Sequence, residues 1–255
     1  MKYGVAGISI IPLRKEPSHR SEMVSQLLFG ETYEVVQEQN GWLLIKCNYD
    51  NYEGWIDANQ YTAIADKEYS MSGANSGIAL DLLSNATSGY HAIPIVTGSD
   101  LPLFDGLNFK LAKEKFIYNG QAVQSEAKNS SLPERVAMRY VNAPYLWGGR
   151  SPFGIDCSGF TQVVFKFAGV CLMRDAYQQA EQGSLVNFID EALPGDLAFF
   201  NNEAGKITHV GMILKDRRII HSSGKVRIDP IDHFGIYNQD LRKYSHQLKV
   251  LKRFF

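Results

Sequence analysis

Residues 156–169 read Asp-Cys-Ser-Gly-Phe-Thr-Gln-Val-Val-Phe-Lys-Phe-Ala-Gly, and this stretch decides the fold. Phe160, Val163, Val164 and Phe167 recur at helical spacing, which predicts an amphipathic helix over 157–169 with Cys157 at its N-terminus. A free thiol is mostly protonated at neutral pH, and the thiolate is the nucleophile. Unpaired backbone N–H groups and the positive end of the helix dipole favour the anion at that position, and a nearby imidazole would favour it further. Polar neighbours on both sides of Cys157 argue against simple core packing, whereas Cys47 and Cys171 lie in apolar runs and read as buried, inert thiols.

Downstream of Leu193-Pro194-Gly195-Asp196 the hydrophobic period changes. Strands are expected from Leu197 to Phe200, from Thr208 to Leu214 and from Arg218 to Ser222. A helix followed by an antiparallel sheet predicts an α+β domain. His209 opens the second of these strands and His221 closes the third, after the charged turn at 215–218, so a hairpin brings the two rings to neighbouring strands. His209 is expected to act as general base toward Cys157, with His221 orienting its ring and holding its tautomer. His19, His91, His233 and His246 have no such setting and read as surface residues. Zinc held by Cys157, His209 and His221 is the competing arrangement. No C-x-x-C or H-x-x-x-H pair supports it, so no metal and no cofactor are expected. Upstream, Ser131-Leu132-Pro133-Glu134 marks a helix start, with Ser130 or Ser131 capping.

The first 65 residues read as short strands. Thr32, Tyr33, Val35 and Val36 make one, Asn40-Gly41 a turn, Trp42 to Cys47 a second, and Asp50-Asn51 another turn before Gly54-Trp55-Ile56. Such spacing suggests a small β-barrel. Residues 70–77 and 84–89 are rich in Ser, Gly and Asn, and β-like pieces continue from Ala92 to Val123. Three domains are expected: a β-barrel over 1–65, a degenerate second barrel or β-rich connector over 66–125, and the α+β domain over 126–255.

With 255 residues, 45% hydrophobic and 21% charged, the chain has an ordinary globular composition. A formal net charge of −1 argues against a nucleic-acid partner. Three cysteines cannot form a disulfide framework in a chain this long and suit a reducing compartment. The N-terminal apolar run is short and broken, and no span approaches membrane length. A cytoplasmic protein with no membrane partner, acting as a monomer, is expected.

Tyr145-Leu146-Trp147-Gly148-Gly149, Asp156-Cys157-Ser158-Gly159-Phe160, Leu193-Pro194-Gly195-Asp196-Leu197, His209-Val210-Gly211-Met212 and Ile220-His221-Ser222 resemble, in order and spacing, the NlpC-type cysteine peptidases. That resemblance implies a papain-like fold, a helix bearing the nucleophile packed on an antiparallel sheet. It also implies cleavage of peptidoglycan stem peptides with Cys157, His209 and His221 as the triad. The stretch at 29–56 resembles bacterial SH3-like domains. Together they resemble the γ-D-glutamyl-L-diamino acid endopeptidases of the YkfC type, which recycle murein tri- or tetrapeptides with a free N-terminal L-Ala. The resemblance implies that Asp175 holds the substrate amine and that Glu22 and Tyr52 close the pocket. Tyr145 and Trp147 would line the site, the Tyr145 hydroxyl near the oxyanion, with Asp156 and Ser158 contributing to substrate binding. Ala176 lacks a hydroxyl that some relatives carry there. An amidase acting on intact wall and a non-catalytic wall-binding SH3-like protein are the rival readings.

Overall fold

The computed structural model describes residues 2–71, 76–89, 91–124 and 127–255. Part of the Ser/Gly/Asn-rich stretch and the expected domain boundary at 125/126 lie outside the described residues. The chain divides into two compact units, Met1–Lys128 with Trp147–Pro152, and Asn129–Leu146 with Phe153–Phe255.

The first unit begins with seven strands: β1 (Tyr3–Val5), β2 (Ile10–Arg14), β3 (Met23–Leu28), β4 (Thr32–Gln39), β5 (Trp42–Cys47), β6 (Glu53–Asp57) and β7 (Thr62–Ala63). They form one antiparallel ladder in the order β3-β2-β6-β5-β4-β1-β7, without return pairing between β7 and β3. The Asn40-Gly41 turn is the one expected. Both residues have positive φ (49° and 79°), as a two-residue hairpin of matching twist requires, and Gln39 pairs with Trp42 across it. Alternation along β5 buries Leu43, Ile45 and Cys47 against Tyr33, Leu27 and Ile56.

After α1 (Asp66–Ser70) come β8 (Gly77–Ala79), β9 (Leu83–Ser88), β10 (His91–Val96), β11 (Asp100–Leu101), β12 (Asn108–Leu111), β13 (Glu114–Tyr118) and β14 (Ala122–Gln124). They build two small antiparallel sheets, β10-β9-β13-β12 and β11-β8-β14. Phe109 and Phe116, opposite each other across β12 and β13, stack at 5.1 Å and meet Phe29 edge-on. Val5 and Phe29 belong to this cluster, so the two N-terminal segments share a core and one unit. Strand β15 (Arg150–Ser151) also belongs here. The buried Arg150 guanidinium donates to both oxygens of Glu31 at 2.7 and 2.9 Å and to the Gln26 carbonyl at 2.7 Å.

The second unit contains α2 (Leu132–Arg139), β16 (Gly154–Ile155), α3 (Cys157–Lys166), α4 (Ala176–Gln179), β17 (Ser184–Val186), β18 (Leu197–Asn201), β19 (Ile207–Leu214), β20 (Arg218–Ser223), β21 (Lys225–Pro230), β22 (Gly235–Asn238) and β23 (Lys243–Arg253). Its sheet runs β17-β23-β18-β19-β20-β21, with β22 also paired to β23. Helix α3 packs on β19 and β20 and against α2. This is the expected α+β, papain-like arrangement of a helix on an antiparallel sheet. Helix α3 is buried on every side, beyond the single apolar face expected. Two of its buried polar side chains bond within the unit: Thr161 Oγ1 donates to Gln179 Oε1 at 2.8 Å, and Gln162 Nε2 donates to the Leu172 carbonyl at 3.0 Å. Among the described residues no helix is long and apolar enough to cross a membrane.

Candidate active site

Cys157 is the first residue of α3, and Asp156 is the residue that caps it. The Asp156 carboxylate accepts from the Gly159 N–H at 2.7 Å, holding the first turn in place. Behind it lies Arg174, 1% exposed, which donates to both Asp156 oxygens at 3.1 and 2.6 Å and to Ser158 Oγ at 3.0 Å. Asp156 and Ser158 are thus bound into a buried network that fixes the nucleophile's turn. The Cys157 thiol points toward β19, where the Thr208 carbonyl lies 4.0 Å from Sγ. That contact puts the sulfur beside the residue preceding His209.

Strand register explains the histidines. Gly211 of β19 is opposite His221 of β20, so His209, two residues from Gly211, shares a face with His221. Their rings meet at 2.8 Å, His209 Nε2 to His221 Nδ1, and both are buried. The far nitrogen of His221, Nε2, lies 3.0 Å from Asp229 Oδ2 on β21. Arg227, directly opposite His221 in the ladder, clamps Asp229 with Nε and Nη2 at 2.6 and 2.8 Å. His246 on β23 joins the group, its ring stacked on that of His209 at 4.0 Å and 23°. His246 is therefore a site residue and not the free surface residue expected, because β23 runs past β18 and carries the ring back over the site. The ligating atoms of His209, His221 and His246 lie within 4.8 Å of one another, a group that does not include Cys157.

Burial dominates the electrostatics. It pushes the Cys157 thiol up, with the Asp156 carboxylate adding to it, to about 12. Burial also drives His209 well below its ordinary value, helped by His221 and His246, and lowers His221 against the pull of Asp229. Burial thus opposes the helix end, which favours the anion at Cys157, and shifts the thiol and both rings toward their neutral forms. Burial raises Asp229, but hydrogen bonds from His221 and Arg227 outweigh it and hold the carboxyl at about 2.

Tyr145 is half-buried, its N–H bonded to the Gly224 carbonyl at 3.0 Å. Its hydroxyl is raised to about 12 by burial and by the nearby Cys157 and Asp156. Asp175 is half-buried at the start of α4, where its N–H donates to Gln178 Oε1 at 3.1 Å. Glu22, Tyr52 and Trp147 belong to the first unit. There the Trp147 indole donates to Glu22 Oε1 at 2.8 Å, and Tyr52 packs on the core of the seven-stranded sheet. Cys47 is buried as expected, but Cys171 is exposed, because the turn after α3 directs Leu172 inward and Cys171 out. Asp229, Arg227, Arg174 and His246 were not singled out from sequence. A signal existed for the first two: the glycine turn after His221 (Gly224, φ 69°) starts a strand in which Arg227 and Asp229 alternate onto one face.

A helix-borne thiol beside a hydrogen-bonded pair of imidazoles, on a helix-over-sheet scaffold, defines a cysteine hydrolase of papain-like fold. The profile of the NlpC/P60 family matches residues 142–245, and that of the bacterial dipeptidyl-peptidase SH3 domain matches 13–60. The gamma-D-glutamyl-L-lysine dipeptidyl-peptidase of Bacillus subtilis is 31% identical over 214 residues, spanning 78% of this chain and 71% of that protein. Dipeptidyl-peptidase 6 of Lysinibacillus sphaericus is 27% identical over 261 residues, spanning 90% and 92%. A crystal structure of an NlpC/P60 family protein from Bacillus cereus shares the fold with a TM-score of 0.82 over 98% of this chain and 99% of that one, at 18% identity. The chain belongs to the NlpC/P60 family and is a peptidase.

Proposed function

We propose that this peptidase cuts the γ-D-glutamyl-L-diamino acid bond of murein peptides whose N-terminal L-Ala amine is free, with Cys157, His209 and His221 as its catalytic residues. The observation that carries the reading is the 2.8 Å bond between His209 and His221 beside a thiol at a helix N-terminus. As Cys157 Sγ attacks the scissile carbonyl, its proton passes to His209, so that neither ion has to stand alone in a buried site. The tetrahedral oxygen takes hydrogen bonds from the Cys157 backbone N–H at the start of α3 and from the Tyr145 hydroxyl. Collapse releases the diamino acid, whose amine receives the proton from His209, and leaves an acyl-enzyme. Water, deprotonated by His209, then frees the L-Ala-D-Glu product and restores the thiol.

The names of the relatives support the substrate class, and the half-buried carboxylate of Asp175 supplies the charge that a free ammonium group needs. Peptides of this kind are the products of wall breakdown, so the enzyme acts in recycling, as a cytoplasmic monomer. The test compares rates on L-Ala-γ-D-Glu-diamino acid and its N-acetylated form, for the wild type and for Asp175→Asn. Discrimination of about 100-fold or more in the wild type is expected, the order seen when a site's polar groups are left unmatched, and Asp175→Asn narrows it. Equal rates on free, acetylated and wall-linked peptides would make the protein a wall-degrading hydrolase instead.

A further inference from the structure

We propose that Asp229, gripped by Arg227, is a positioning residue that sets which nitrogen of His209 is free to take a proton, acting through the tautomer of His221. The inference rests on His209 being the base proposed above.

One line of atoms in the second unit carries this. Asp229 is 2% exposed and, as a carboxylate, only accepts hydrogen bonds. Its Oδ2 lies 3.0 Å from His221 Nε2, so that nitrogen carries the proton. A neutral His221 then has its lone pair on Nδ1. His209 Nε2 lies 2.8 Å from Nδ1, and a bond of that length needs a proton between the two. That proton belongs to His209 Nε2. The one remaining lone pair on the His209 ring is therefore on Nδ1. Reverse the first bond and every later one reverses, leaving a proton where the reaction needs a lone pair. Burial disfavours a doubly protonated ring at either position, so the choice is between tautomers.

Arg227 makes the choice one-sided. Its Nε and Nη2 donate to Asp229 Oδ2 and Oδ1, and Nη2 also lies 2.9 Å from Asp240 Oδ2. With both carboxylate oxygens occupied by donors, Asp229 neither protonates nor turns away. The four residues are alternate positions on neighbouring strands: His209 and Gly211 on β19, His221 opposite Gly211, and Arg227 opposite His221 with Asp229 two residues on. No loop enters the chain, so its geometry is fixed by the ladder.

The test is spectroscopic first. Imidazole ¹⁵N shifts at neutral pH are expected to show His209 and His221 both protonated on Nε2 in the wild type. Asp229→Ala, Asp229→Asn and Asp229→Glu should then change the fraction of His209 in that form to different extents. An amide reaching His221 through its oxygen preserves the tautomer, and through its nitrogen reverses it. Across the three variants kcat should follow that fraction with KM little changed, and alkylation of Cys157 by chloroacetamide should slow in parallel. Asp229→Ala is expected to lose about 10- to 100-fold in kcat, less than the roughly 10⁴-fold lost when a carboxylate bonded directly to a catalytic histidine becomes an amide, because here a second ring intervenes. Wild-type His209 or His221 protonated on Nδ1 would overturn the proposal even if no variant folds. So would variants that lose kcat with an unchanged tautomer, the sign of a purely structural role. Alkylation uses no peptide, so a wild type that shows the tautomers and reacts as stated but cuts no murein peptide would refute the substrate assignment and leave Asp229 in its role.

Discussion

Replacing Arg174 with Met removes the guanidinium that faces the Asp156 carboxylate behind the nucleophile. Arg174 is 1% exposed and Asp156 6%, and the two bonds between them are 3.1 and 2.6 Å. Breaking a buried pair by removing one partner costs about 3–5 kcal/mol, since the remaining charge stays desolvated. Asp156 keeps its bond from the Gly159 N–H at 2.7 Å and its 3.3 Å contact with the Ser158 hydroxyl, which sets the expected loss near the lower end, about 3 kcal/mol. The second change, Asp156→Asn, removes the stranded charge while retaining an oxygen to cap α3. The double variant should therefore be more stable than the sum of the single effects by about 1.5 kcal/mol or more. Urea denaturation followed by circular dichroism is the assay. Tryptophan fluorescence would miss it, because Trp42, Trp55 and Trp147 are the three tryptophans of the chain and all belong to the first unit. A single-variant loss under about 1 kcal/mol, or additivity within about 0.5 kcal/mol, would refute the view that this pair anchors the nucleophile's helix.

Five shorter predictions follow from the same geometry. His209→Ala should abolish turnover, while His221→Ala should leave measurable activity, since its task is orientation; equal losses in kcat would mean that the roles are misassigned. The acid limb of kcat/KM should fall below the roughly pH 6.5 of an exposed imidazole, because His209 acts in its neutral form and burial keeps it neutral further into acid. By the same sign, stability should fall as pH drops through that value, since the unfolded histidines bind protons that the buried ones refuse. His246→Ala should lower kcat by roughly 2- to 10-fold, the worth of one stacked ring against His209, and His246→Phe should restore most of it. Chelators should leave the rate unchanged, and a metal-dependent rate would revive the zinc arrangement.

The parts of the fold that were legible in the sequence are those fixed locally. Asn40-Gly41 dictates its hairpin through backbone conformation alone, and the spacing of Phe160, Val163, Val164 and Phe167 dictates α3 through one packed face. His209 and His221 were readable as a pair because a three-residue turn joins their strands. What stayed hidden depends on strand order. His246 reaches His209 because β23 lies beside β18, far away in sequence, and no local pattern encodes that neighbour. Asp229 needed a register, and register follows from the Gly224 turn only once the two flanking strands are known to pair. The shared core of Phe29 with Phe109 and Phe116 likewise joins a segment whose pattern reads as a barrel to one whose pattern reads as a degenerate barrel or a β-rich connector.

Cleavage by Cys157 between γ-D-glutamate and the diamino acid is the step proposed. Its most direct test is mass analysis of L-Ala-γ-D-Glu-diamino acid incubated with the wild type and with Cys157→Ala. L-Ala-D-Glu and the free diamino acid are expected from the wild type, an unaltered peptide from Cys157→Ala, and the same circular dichroism for both proteins. Release of free alanine, or hydrolysis by Cys157→Ala at the wild-type rate, would contradict it.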